Sequence, residues 1–382
     1  MLWSIANPFT RQTTMPHSAR TDSRPAEETA ADADADTAAP VHGELTLPAV
    51  TVESYSLEVR DSETGGFYGD RASRTAFGKM LDLWRGLFAE MNDGKDAFGT
   101  KPTQEIGKRR LDELLAQNGP AAAAIRAASE DYAVQLAQVV RRFQRQKSWR
   151  GVERVVIGGG FQQSELGKRA VGRAAELLAQ AKAGVSVRTL HHHADEGGLI
   201  GWLHVAPPEV LERHDAMLAV DIGGTNVRCG IVRVRGNGPD LTRAEVVGRD
   251  KWGHADDEDV KKREDLVLGI AGMLENLIRE AKQDGIKLAP FVGVACPGMV
   301  RPDGSIAGGT QNLPGNWEST RFHLPRHLCE KLPRIGGEPT QVRLHNDAVV
   351  QGLSELPFMN DVKRWAVLTV GTGLGNASFT NR

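Results

Sequence analysis

Apolar positions fall into three textures along the chain. In the first they recur at helical spacing. Phe77, Met80, Leu81, Trp84, Leu87, Phe88 and Met91 share one wide face. Ile125, Tyr132, Leu136, Val139, Val140 and Phe143 share another, on a helix from about 121 to 146. Both faces read as core, with Arg141, Arg142 and Arg145 on a solvated side; the stretch near 92–110 reads as a loop. In the second texture short apolar runs end in turn formers, at 155–157 before Gly158-Gly159-Gly160, at 185–190, at 291–295 before Cys296-Pro297-Gly298, and at 342–347. These read as strands. Helices carrying Leu166, Val171, Leu177 and Leu178, and later Leu266, Val267, Ile270, Met273, Leu274, Leu277 and Ile278, stand among them. In the third texture two apolar runs flank a glycine turn, at 218–234 and again at 365–379, and each pair reads as a β-hairpin. A partly alternating run at 50–59 adds a strand.

Composition narrows the classes. A chain of 382 residues can hold two domains and a sizeable core. Lys+Arg 47 against Asp+Glu 49 leaves a net charge of -2, which argues against nucleic acid as a partner. Cys229, Cys296 and Cys329 are too far apart for a disulfide framework or a metal motif and read as free thiols in a reducing cytoplasm. No run reaches the ~20 apolar residues that span a bilayer, so no membrane role is expected. Residues 1–43 end in an acidic Ala/Asp stretch of low complexity, which reads as a disordered tail. The first residues have too short an apolar core for a secretory signal, and they read as tail or as sequence ahead of a start at Met15. His191, His192 and His193 are adjacent and would not share one face, so they are not read as a metal site.

Candidate chemistry gathers at the turns. Gly223-Gly224-Thr225-Asn226 lets backbone N–H groups approach an anion, and Asp221, closing the strand before it, is placed to hold a hydrated Mg²⁺. Gly371-Thr372-Gly373 repeats the design. The strand at 342–347 ends in Asn346-Asp347; taken alone, Asp347 could equally cap a helix over AVVQGL. The turn-rich 301–319, with a Trp317 read as exposed, is a candidate ligand loop. The strand, triple glycine and helix at 155–161 lack G-x-G-x-x-G spacing, and no Walker A motif occurs.

Together these segments resemble the glucokinase/ROK branch of the sugar kinases. DIGGTNVRCGIV (221–232) looks like the first phosphate motif and VGTGLGNA (370–377) like the second. HNDA (345–348) looks like the catalytic Asn-Asp pair, and VACPGMV with NLPGNW (294–300, 312–317) like the sugar loop. VVIGGGF (155–161) with EGGLIG (196–201) resembles the adenosine-site segment. The resemblance covers roughly 150–382 and implies an α/β, two-lobed actin-like ATPase (RNase H-like) fold. In the family the adenosine segment follows the second phosphate motif; here it precedes the first, so the expectation is a circular permutation. The expected division is a tail (1–43), a large-lobe segment with the adenosine motif (44–205), a small lobe with the first hairpin and sugar loop (206–345), and a large-lobe segment with the catalytic Asp and second hairpin (346–382).

The resemblance also implies roles. Asp347 would be the general base on a sugar hydroxyl, with Asn346 and Asn312 binding neighbouring hydroxyls. Asp221 would organise Mg²⁺, directly or through water. Gly223, Gly224, Thr225, Asn226, Gly371, Thr372 and Gly373 would clamp the phosphates of ATP, and Gly158, Gly159 and Gly160 would pass beneath adenine or ribose. The ROK zinc motif is absent, so no structural zinc is expected. The family's E-x-G-H sugar motif is absent too; Asp70, Arg71, Glu53 and Glu58 are the candidates to replace it. Expected partners are therefore a sugar and ATP, with a homodimer left open. The competing class is a nucleotide-binding regulator without catalysis on the same fold.

Overall fold

The computed structural model describes residues 42–235 and 240–382. The expected tail lies outside the described residues except for its last two. Those two are packed: Nδ1 of His42 accepts from the Leu344 N–H at 3.0 Å, and the Gly43 N–H donates to the Leu344 carbonyl at 3.0 Å.

Strand β1 (Val50–Tyr55) precedes helices α1 (Arg74–Glu90), α2 (Lys108–Leu115) and α3 (Pro120–Gln144). Next come β2 (Arg154–Gly158), α4 (Glu165–Gln180), β3 (Ser186–Thr189), α5 (Ala194–Ile200) and α6 (Pro208–Glu212). The middle of the chain supplies β4 (Ala216–Ile222), β5 (Val227–Val234), β6 (Ala244–Trp252), α7 (Arg263–Gln283) and β7 (Leu288–Cys296). Two short ribbons, β8 (Met299–Val300) with β9 (Ile306–Gly308) and β10 (Arg334–Ile335) with β11 (Glu338–Pro339), flank α8 (Leu324–Lys331). The chain continues through β12 (Gln341–Asn346), α9 (Asp347–Leu353), β13 (Arg364–Val370) and β14 (Leu374–Asn381).

The fold is mixed α/β and uses one sheet plan twice. One five-stranded sheet runs β12-β7-β4-β5-β6 and the other β1-β14-β13-β2-β3. In the first, β4, β7 and β12 are parallel while β5 and β6 fold back as a meander. In the second, β13, β2 and β3 are parallel while β14 and β1 fold back. The first sheet draws all its strands from 216–346. The second joins opposite ends of the sequence, with Val50 paired to Asn381 and the Arg382 N–H donating to the Ala49 carbonyl at 3.0 Å.

Burial explains the layers. Leu136, Val140 and Phe143 of α3 pack with Leu166 and Leu178 of α4 on one face of the second sheet. Leu266, Ile270 and Leu274 of α7 cover the outer face of the first. Between the two sheets lies a third layer, in which Leu199 of α5 and Val349 and Leu353 of α9 meet Trp202, Phe291, Trp365 and Phe379. That shared layer sets the two sheets' turn ends against each other.

Two expectations about packing change. The α1 face is core except at two positions: Phe77 and Leu81 are buried and Met80, Trp84 and Phe88 pack against the core, but Leu87 and Met91 are 41% and 82% exposed. Trp317 is fully buried and not exposed. Its Nε1 donates to the Pro314 carbonyl at 2.8 Å and its ring stands edge-on to Phe322 at 5.3 Å, so the indole anchors a polar loop from beneath. The stretch near 92–110 is largely irregular, as expected, with α2 starting at Lys108. His191 stacks on Phe358 at 3.9 Å and His193 caps α5 through Nδ1, which accepts from the Asp195 N–H at 3.2 Å. No group of His, Cys, Asp and Glu suited to a metal ion occurs among the described residues. Cys229 and Cys296 are buried free thiols. Among the described residues no helix is long and apolar enough to cross a membrane.

Candidate active site

Three parallel strands of the first sheet end side by side. Asp221 of β4 is level with Ala295 of β7, and Asn346 of β12 with Cys296. Asp221, the Pro297-Gly298 turn and Asp347 therefore emerge at the carboxyl edge of the sheet, where α/β sheets open crevices. The glycine turn of β13–β14 faces them from the second sheet. Between the two lies a cleft of about 830 Å³ lined by Asp221, Gly223, Gly224, Thr225, Asn226, Asn312, Asp347, Gly371, Thr372, Gly373, Gly159 and Gly160.

Each turn is held by its carbonyls. In the first, the Gly223 N–H donates to the Asn226 carbonyl at 2.9 Å, and Nε2 of His254 lies 2.8 Å from the Gly223 carbonyl oxygen. A Cβ on Gly224 would stand 2.9 Å from Cβ of Asn312, a space only glycine leaves open. In the second, α1 begins on the turn: the Arg74 N–H donates to the Gly371 carbonyl at 2.9 Å, and Oγ1 of Thr75 to the Thr372 carbonyl at 2.9 Å. Among the described residues the N–H groups of Gly224, Thr225, Thr372 and Gly373 find no acceptor in the protein. Free backbone donors from two facing turns suit a polyanion.

Asn346 is fully buried and fully engaged. Its Oδ1 accepts from the N–H groups of Ala348 and Val349 at 3.0 and 3.2 Å, and its Nδ2 donates to the Gly298 carbonyl and to Ser56 Oγ at 2.9 and 3.2 Å. Asn346 is thus the cap of α9, which leaves the half-buried Asp347 carboxyl to face the cleft. Burial, and secondly the charge of Asp221, push the Asp347 pKa up to about 7.

Asp221 has a cation of its own. Arg228 of β5 approaches it at 3.3 Å and also binds Asp195 of α5, which takes Lys251 of β6 at 3.0 Å. Burial raises the Asp221 pKa, against the pull of Arg228. EGGLIG forms the body of α5 behind this carboxylate, where a Cβ on Gly198 would stand 2.8 Å from Cγ of Asp221.

The triple glycine divides. Gly158 ends β2 against Gln351 and lines no part of the cleft. Gly159, at φ +83, lies where any Cβ would collide with the Val370 carbonyl, so the loop sits directly beside the second turn. Among the candidates for the missing sugar motif, Asp70, Arg71 and Glu58 line the cleft, and burial raises the Asp70 pKa. Arg71 is already held by Asp61 at 2.6 and 2.8 Å, and Glu53 lies on the sheet, accepting from Thr380 Oγ1 at 2.6 Å.

Sequence reasoning passed over Arg228, Arg74 and Lys108. Arg228 could have been found from hairpin register, since it stands directly across from Asp221. Arg74 and Lys108 carry no such signal.

No protein-family model and no curated protein matches the chain. Solved structures similar to it include a candidate N-acetylmannosamine kinase from Listeria monocytogenes (24% identity, 44% of this chain and 47% of that one, TM-score 0.31). A candidate sugar kinase from Cytophaga hutchinsonii is comparable (23% identity, 44% and 48%, TM-score 0.32). An exopolyphosphatase-like protein is more distant in sequence but covered further (12% identity, 66% and 86%, TM-score 0.31). The chain spans about half the length of the first two. At these TM-scores the function has to be read from the cleft.

Proposed function

We propose that the chain is a glucokinase-like sugar kinase that transfers a phosphoryl group from ATP to a hexose hydroxyl. The observation that carries this reading is a half-buried carboxyl, Asp347, in the same cleft as two glycine turns with free N–H donors. Phosphoryl transfer asks a protein for positioning, charge neutralisation and a base on the attacking hydroxyl. Asp347 takes the hydroxyl proton, and Asn312, beside the first turn, orients the sugar. Asn346 serves by capping α9 and fixing the position of Asp347. Gly223, Gly224, Thr225, Asn226, Gly371, Thr372 and Gly373 hold the phosphates, and Gly159 and Gly160 carry the rest of the nucleotide.

Mg²⁺ fits this donor set. One carboxylate, Asp221, at the edge of the cleft suits a hydrated ion that arrives with the phosphates, and the ion would supply charge neutralisation. Arg228 then keeps Asp221 from repelling them.

The two sheets of identical plan support an actin-like ATPase fold, and the pairing of β1 with β14 supports its circular permutation. In that reading β1 is the strand that would ordinarily follow β14 without interruption. The nearness of Gly159 to Val370 is what the permutation requires.

A coupled assay of ADP release over a panel of hexoses and hexosamines tests the proposal, and sugar-dependent turnover is the expected result. One observation favours a regulator that binds nucleotide without turnover: Arg228 already pairs with Asp221, the residue assigned to Mg²⁺. Nucleotide binding with no sugar-dependent turnover in the same assay would establish that reading instead.

A further inference from the structure

The first turn has a cation beside it, Arg228, but Asp195 and Asp221 hold that guanidinium. The second turn has none at its own tip, since Arg364 lies at the far end of β13. Two come to it from helices outside every phosphate motif. Arg74 opens α1, and its N–H fixes the turn through the Gly371 carbonyl. Lys108 opens α2, and its Nζ donates to the Gly160 carbonyl at 2.7 Å. Because Gly159 lies against Val370, the Gly160 carbonyl and the Gly371 turn are neighbours. Arg74 and Lys108 thus both reach the neighbourhood of the second turn.

Both side chains line the cleft, and neither forms an ion pair among the described residues. Burial first, and then Arg74, Lys251 and Arg228, act against the charge on Lys108, with only Asp195 opposing. Like charges gathered in a cleft create a field that an anion relieves. The free N–H groups of Thr372 and Gly373 lie in the same wall.

We propose that Arg74 and Lys108 form a cation pair that grips the donor's chain of phosphates over the second turn. They fill the place of a Walker lysine, which this chain lacks. The inference rests on the kinase reading and names the chemistry of its donor side. That chemistry is a condensed phosphate of two or more units, carried by a nucleotide or by inorganic polyphosphate.

Calorimetric titration of the full chain with inorganic tripolyphosphate and with ADP tests it. The variants are Arg74→Met, Lys108→Met and Lys108→Arg. Each Met variant is expected to bind both anions roughly tenfold more weakly, as for a lost hydrogen bond to a charged group. Lys108→Arg is expected to restore most of the affinity. Tighter binding of tripolyphosphate than of ADP assigns the donor to the inorganic source, and the reverse order to the nucleotide. Met variants that bind both anions as the wild type does overturn the inference and leave the kinase reading to the turnover assay. A wild type that binds neither anion overturns it as well, whatever turnover shows.

Discussion

Asp221 and Arg228 stand opposite each other across the first turn as a cross-strand pair, with a guanidinium nitrogen 3.3 Å from the carboxylate. The same guanidinium holds Asp195, so one side chain ties β4, β5 and α5 together. All three groups are largely shielded from water, and removing the cation leaves two carboxylates without it. Arg228→Met is therefore expected to lose about 3 kcal/mol of stability, measured by urea unfolding at pH 7. Asp221→Asn should cost less, because Arg228 keeps Asp195.

As the proposed base, Asp347 should link activity to pH. A base must be ionised, so turnover should fall with a slope of one as pH drops through about 7. Asp347→Ala should lower kcat by about 10³-fold while ADP still binds, and unchanged turnover in this variant would reject the assignment.

Stability carries the opposite sign. The folded pKa of about 7 lies above the ordinary 3.8, so the folded state holds the proton more tightly than the unfolded chain does. Stability attributable to this group is present at low pH and is lost as pH rises from about 4 to 7. Asp347→Asn, which does not titrate, should be more stable than the wild type at pH 8 by on the order of 2 kcal/mol, and the two should converge near pH 4. Thermal melts at both pH values measure the difference.

Gly159 combines a positive φ with contact against the Val370 carbonyl. Alanine there meets both costs, and Gly159→Ala should lose about 2 kcal/mol and weaken ADP binding by displacing the loop from the second turn. Gly172→Ala, on α4 with open space around it, should be neutral or slightly stabilising. Paired urea titrations give the contrast.

The permutation reading can be tested by recutting. A chain that begins at Pro207, runs to Arg382 and continues through a short Gly/Ser linker into 42–206 should fold and bind ADP like the original. Because the Arg382 N–H is bonded to the Ala49 carbonyl, the linker has only to reach back from there to His42. A recut chain that stays unfolded by circular dichroism would count against it.

What could be read from the sequence was whatever is local. Each glycine hairpin writes its own pattern, and α3, α4 and α7 repeat their apolar positions over several turns. What could not be read depends on contact between distant segments. Asn346 and Asp347 are both good helix caps, and only the burial of Asn346 beneath Gly298 decides between them. Trp317 sits in a polar stretch whose composition hides one inward ring. Lys108 lies at the edge of a loop without a motif and acquires meaning only beside Gly160.

The pairing of Val50 with Asn381 also orders events in time. As the polypeptide leaves the ribosome, the sheet built from 216–346 has all its strands before β13 is made. The helices α1, α3 and α4 emerge much earlier, yet the sheet they cover cannot close until 364–381 arrives. Closing so long a loop is slow, and meanwhile the apolar faces of those helices stay uncovered. The segment before 190 is therefore the part of the chain that waits longest for its cover, and the arrival of β14 completes the sheet it needs.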